Sequence, residues 1–162
     1  MRRIASFAVA IWVIASSAYA EAPPIAYQIF CIRFGGCDPG GAASIATTRG
    51  LMADLERVTK AVNASIRYRP DDGEVWKANV TAGDCEDYAL TKRGRLIRMG
   101  YPPSALRMAI GHTQRGESHA VLVVKTMAGD FVLDNLTDRV LPSARANIRI
   151  RKMASADPRV WF

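Results

Sequence analysis

Histidine and cysteine are scarce in this chain: His112 and His119 are its only histidines, and Cys31, Cys37 and Cys85 its only cysteines, among 162 residues. With no further Cys or His near Cys31 and Cys37, a metal cluster at that pair has no ligands to complete it. No internal repeat or low-complexity run divides the chain, which is long enough for one domain with a real core. Basic residues outnumber acidic ones, 22 to 15, but they are scattered and accompany no DNA or RNA motif, so nucleic acid is not an expected partner. Long apolar runs are missing too. The run from Ile4 to Ile14 is too short for a membrane span, and stable membrane insertion is not expected. Arg2 and Arg3 precede that run and Ala18-Tyr19-Ala20 follows it, the layout of a secretory signal peptide over residues 1–20. Cleavage after Ala20 would release a periplasmic chain of a single domain, residues 21–162. An uncleaved anchor is the competing reading. The remaining surface is mildly basic, which favours an acidic substrate segment or the anionic cell envelope.

Export changes how the cysteines are read. Cys31 and Cys37 are close in sequence, and an oxidising compartment favours a local disulfide between them over two free thiols. Cys85 is then the odd thiol. It lies in the run Gly83-Asp84-Cys85-Glu86-Asp87-Tyr88-Ala89. Asp84 is a natural N-cap with Asp87 three positions on, and Leu90, Leu96, Ile97 and Met99 carry a helix as far as Gly100. Cys85 falls at the first helical position, where free backbone N–H groups and the helix dipole favour a thiolate. Asp84, Glu86 and Asp87 oppose this by like-charge repulsion, so a reactive Cys85 needs a histidinium or a bound cation beside it.

The segment Ser118 to Lys125 reads as a buried strand with His119 at its start, and a second strand follows the Met127-Ala128-Gly129 turn and ends at Asp134. Cys, His and Asp in that order are what nucleophilic acyl transfer requires: the imidazole takes the thiol proton and the acid fixes its tautomer. A turn centred tightly on Ala128 and Gly129 would set His119 opposite Asp138, and a bulge or longer loop is needed to bring Asp134 to it. Both acids stay open on register alone.

Gly83-Asp84-Cys85-Glu86-Asp87-Tyr88-Ala89-Leu90, Lys92-Arg93, His119-Ala120-Val121-Leu122 and Leu133-Asp134-Asn135-Leu136 resemble the bacterial transglutaminase-like cysteine proteinases, over roughly Cys31 to Pro142. The resemblance implies a papain-like α+β core and the triad Cys85, His119 and Asp134. It also implies a periplasmic hydrolase that clips a surface adhesin, an inner-membrane receptor that sequesters it, and calcium held at Asp84, Glu86 and Asp87. Calcium takes six to eight oxygen ligands, so three carboxylates would fill only part of a shell. Without the metal, Asp84 and Asp87 would cap the helix and Glu86 would be solvated. The stretch from Asp71 to Gly83 departs from the family in being short, with Trp76 alone to line a substrate groove. The backbone N–H of Cys85 is an oxyanion donor with no upstream Gln or His as its partner.

The remaining layout is a loop around Cys31 and Cys37, then an amphipathic helix from Leu51 to Ile66, a polar loop from Arg69 to Ala82, and the Cys85 helix. Strands near Leu106–Ile110, His119–Val124, Phe131–Asp134 and Ile148–Arg151 would form the antiparallel sheet on which the N-terminal helices pack. Lys92, Arg93, Arg95 and Arg98 read as the solvated face of the Cys85 helix, and His112 as a loop histidine. Three activities fit: a cysteine peptidase on a protein substrate, a transglutaminase or amidase using the same triad on glutamine side chains, and a binding module that has kept the fold and lost turnover.

Overall fold

The structure, a computed structural model, describes residues 20–162. The signal segment expected over residues 1–20 therefore lies, but for its last residue, outside the described residues.

Three helices share a core with one face of an antiparallel sheet, in an α+β arrangement. Helix α2 (Arg49–Ser65) forms because Leu51, Leu55, Val58 and Val62 recur at helical spacing and all are buried. Thr48 starts it, its hydroxyl accepting from the N–H of Leu51 at 3.0 Å. Leu55 is fully buried, and Leu55→Ala would cost about 2–5 kcal/mol. Helix α3 (Cys85–Arg98) lies between α2 and the sheet and buries Tyr88, Leu90 and Leu96.

The sheet runs β6-β5-β4-β3-β7, from β3 (Leu106–His112), β4 (Ser118–Val124), β5 (Phe131–Leu133), β6 (Leu141–Pro142) and β7 (Arg149–Met153). Alternation along β4 sends Leu122 and Val124 toward the helices, while Val121 and Val123 join a smaller apolar cluster with Ala109 and Val132. A short parallel pair, β1 (Arg67–Tyr68) with β2 (Ala82–Gly83), closes the polar loop at its base and delivers the chain into α3.

The loop expected around Cys31 contains helix α1 (Ile25–Phe34). Its Tyr27 is fully buried and meets Trp76 and Trp161 edge-on, with ring centroids 5.5 and 5.4 Å apart. Glu21 pairs with Trp161, which ties the described N-terminus to the C-terminus. Cys31 and Cys37 are disulfide-bonded, and Cys85 is free. Among the described residues no helix is long and apolar enough to cross a membrane.

Candidate active site

Cys85 is the first residue of α3, so its backbone N–H has no intrahelical partner and faces outward. It lies half-buried in a cleft of about 500 Å³ whose walls include Tyr68, Trp76, Glu86, His112, His119 and Arg151. The local chain has little freedom there. A Cβ on Gly83 would sit 2.1 Å from a carboxylate oxygen of Asp87, so the turn into α3 closes only over glycine.

His119 is the second residue of β4, and its Nε2 lies 2.8 Å from Oδ1 of Asp134, both side chains being buried. With Nε2 committed to that carboxylate, Nδ1 is the nitrogen left for the cleft. Burial would raise the Asp134 carboxyl, but the hydrogen bond and charge of His119, the N–H of Leu136 and the charge of Lys92 hold it below the usual carboxylate range. The pairing follows from register. Leu122 stands opposite Leu133 and Val124 opposite Phe131, so a tight turn closes over Met127 and Ala128, one residue earlier than Ala128-Gly129, with the N–H of Gly129 donating to the carbonyl of Thr126 at 3.2 Å, and β5 ends just before Asp134. Asp138 is exposed and accepts from Nδ2 of Asn63 at 2.9 Å. Asn63 also donates to the carbonyl of Asp134 at 3.1 Å, anchoring the loop that carries both acids.

The acids around Cys85 do not cap the helix. Asp84 stands at the N-cap position without a capping bond, its Oδ2 accepting instead from the N–H of Asp71 at 3.3 Å. Asp87 is buried and its Oδ1 accepts from the N–H of Lys77 at 2.7 Å, so it closes no capping box. Glu86 is half-buried at the cleft, its Oε2 accepting from the Cys85 thiol at 3.1 Å. Burial pushes the Cys85 thiol far above the ordinary thiol range, and the charge of Glu86 and the hydrogen bond to it add to this. The backbone N–H of Ala120 acts the other way. Burial raises Glu86 to about 7 and Asp87 to about 6, with the charge of Asp84 adding to each.

Those carboxylates bear on whether a metal fits. Asp84 Oδ1 and Asp87 Oδ2 are buried with no hydrogen-bond partner, and both are hard oxygen donors at a crowded, anionic helix start. Among the described residues no three His, Cys, Asp or Glu side chains converge as a ready metal cage. A cation here would draw on Asp84 and Asp87, with backbone carbonyls and water completing its shell, while Glu86 is turned to the sulfur.

Sequence reasoning misplaced the basic residues of α3. Lys92 and Arg93 are buried, not solvated. Arg93 donates to the carbonyls of Leu106, at 2.9 Å, and Gly36, stitching α3 to β3 and to the disulfide loop. Lys92 is fully buried, its Nζ 5.8 Å from the centroid of the Tyr88 ring and without a hydrogen-bond partner. Burial lowers it to about 7, against the pull of Asp134 and Asp138. Tyr88, Lys92 and Leu96 recur every fourth residue, and that spacing was the signal that Lys92 shares the buried stripe. His112 ends strand β3, lies opposite Ser118 and lines the cleft. Trp76 is mainly a core residue, although one edge reaches the cleft.

A helix-borne cysteine and a strand-borne, carboxylate-bound histidine line one cleft of an α+β core, an arrangement that suits nucleophilic acyl transfer. The chain belongs to the bacterial transglutaminase-like cysteine proteinases, whose family model matches residues 17–162. No curated protein matches it. Among solved structures it is similar to calcium-bound LapG of Legionella pneumophila, at 25% identity and a TM-score of 0.62, covering 69% of this chain and 68% of that one. EGTA-treated LapG of the same organism is similar at 26% identity and a TM-score of 0.58, covering 64% of this chain and 62% of that one.

Proposed function

We propose that this protein is an exported, periplasmic cysteine endopeptidase that cuts a protein substrate, of the cell surface, through Cys85, His119 and Asp134. The observation that carries the reading is that His119, hydrogen-bonded to the buried Asp134, lines the cleft that holds Cys85. Nδ1 of His119 takes the thiol proton as the sulfur attacks the peptide carbonyl, and Asp134 stabilises the imidazolium that forms. The backbone N–H of Cys85, free at the helix start, donates to the oxyanion in this reading. His119 then returns the proton to the leaving amine, and water, deprotonated by the same imidazole, resolves the thioester and frees the sulfur.

Burial and Glu86 both disfavour the Cys85 thiolate. Calcium bound at Asp84 and Asp87 would supply positive charge that offsets this crowding. The unpartnered oxygens of those two residues support the assignment, as does the likeness to a LapG structure holding calcium. A surface adhesin as substrate and an inner-membrane receptor as regulator are the partners the family resemblance favours.

The test incubates the purified protein with cell-envelope proteins and reads new N-termini by mass spectrometry, beside incorporation of a fluorescent primary amine. New N-termini that vanish in Cys85→Ala and His119→Ala support the peptidase. Amine incorporation without new N-termini would instead make the protein a transglutaminase, and neither signal would make it a binding module.

A further inference from the structure

A second depression, of about 510 Å³, adjoins the catalytic cleft, and His112 and Arg151 line both. Its walls are the end of β3, the turn beyond it, and the chain entering β7, with Thr113, Ile148 and Arg149 among them. Arg149 and Arg151 are exposed, and neither guanidinium has a carboxylate or other acceptor among the described residues. Lys152, by contrast, is paired with Glu21. Two further exposed arginines, Arg115 and Arg145, stand next in sequence to lining residues. Glu117, on the same turn, lies 3.4 Å from the hydroxyl of Thr113.

The backbone builds this basic wall deliberately into the site. The β3–β7 register shifts between Ile110 and Gly111, so that Ile110 faces Lys152 and Gly111 faces Ile150 while Arg151 has no ladder partner. Such bulges re-aim side chains, and this one sets Arg151 at the border of the two depressions. A Cβ on Gly111 would lie 2.1 Å from the carbonyl oxygen of Arg149, so the close approach requires glycine. The cleft itself carries carboxylates, those of Asp71, Glu74, Asp84 and Glu86, whereas the adjoining depression is lined by none among the described residues. An extended peptide that runs from the cleft into the depression therefore passes from negative charge to unpaired positive charge.

We propose that the depression lined by Arg149 and Arg151 is a docking subsite for carboxylate side chains of the polypeptide substrate, on one side of the bond that is cut. The inference rests on the peptidase reading. A concave site continuous with the cleft suits a chain threaded along it, and a flat bilayer surface has no access to its floor.

The test measures binding of a fluorescent peptide of alternating glycine and glutamate to the Cys85→Ala protein by anisotropy, beside glycine–lysine and glycine–glutamine peptides and anionic phospholipid vesicles. The acidic peptide is expected to bind best, and about tenfold more weakly in Arg149→Ser/Arg151→Ser. A Lys60→Ser/Arg98→Ser protein, with the same net charge, should bind as the parent does. Equal weakening in both double variants, no preference for the acidic peptide, or vesicle binding that alone depends on Arg149 and Arg151 would overturn the subsite. The active protein and a proteome-derived peptide library separate the two claims. Cleavage sites with carboxylates enriched on one side, lost in Arg149→Ser/Arg151→Ser, support the subsite, and cleavage without enrichment overturns it. Acidic-peptide binding with no peptide cut removes the peptidase reading while leaving the docking site standing.

Discussion

Nε2 of His119 and Oδ1 of Asp134 lie 2.8 Å apart with both side chains out of water, so the tautomer of the imidazole is set by a buried carboxylate and Nδ1 is presented to the cleft. Asp134→Asn keeps the shape of the contact but removes the charge that stabilises the imidazolium. It is expected to lower kcat by about 10² to 10⁴ with little change in KM. Asp138→Ala, which removes an exposed acceptor of Asn63 and a distant charge from Lys92, should stay within about threefold of wild type. Steady-state kinetics on one peptide substrate compare the two variants.

Lys92 makes stability depend on pH. Its folded-state value is lowered from 10.5 to about 7, so between those values the unfolded chain holds a proton that the folded chain has released. Stability therefore rises as pH increases from 7 toward 10, and below 7 the cost of burying the charge is complete. Lys92→Met keeps the volume and removes the titration. Urea unfolding across this range should show a gain on the order of 3 to 4 kcal/mol in the wild type from this residue that the variant lacks.

The Cys31–Cys37 bridge closes a short loop whose Gly36 carbonyl accepts from Arg93. A Cys31→Ser/Cys37→Ser protein is expected to lose about 2 kcal/mol of stability by the loop-entropy argument. Denaturation midpoints should fall accordingly, while kcat stays near the wild-type value because neither sulfur reaches the cleft.

Calcium should raise the melting temperature of the wild type, because an ion that binds only the folded chain stabilises it by mass action, about 2.7 kcal/mol at a hundredfold excess over Kd. EGTA should reverse the shift. Asp84→Ala and Asp87→Ala should show little response to either, and Glu86→Gln, whose carboxylate faces the sulfur, should retain most of it. Differential scanning fluorimetry reads all four proteins.

The elements that carry the site were legible because local chemistry dictates them. Helix α3 was readable from Cys85 to its stop at Gly100, and β4 from its β-branched run after His119. Helix α1 was not, since apolar residues fall on all its sides: Tyr27 and Phe30 are buried while Ile25, Ile29 and Ile32 are exposed. The choice between Asp134 and Asp138 turned on hairpin register, which no local pattern in the loop fixes and which the structure sets by pairing Leu122 with Leu133. Lys92 and Arg93 read as solvated because long basic side chains on a helix usually are. Their burial depends on what packs over them: the carbonyls of Leu106 and Gly36, and the ring of Tyr88.

The central claim is that Cys85 is a nucleophile activated by His119. Labelling of the purified protein with a thiol-reactive peptide-mimetic probe, with and without calcium, followed by mass mapping, tests it most directly. The account predicts selective modification of Cys85 in the wild type and its loss in His119→Ala. Labelling that persists at wild-type rate in His119→Ala, or no labelling of Cys85 under either condition, would contradict it.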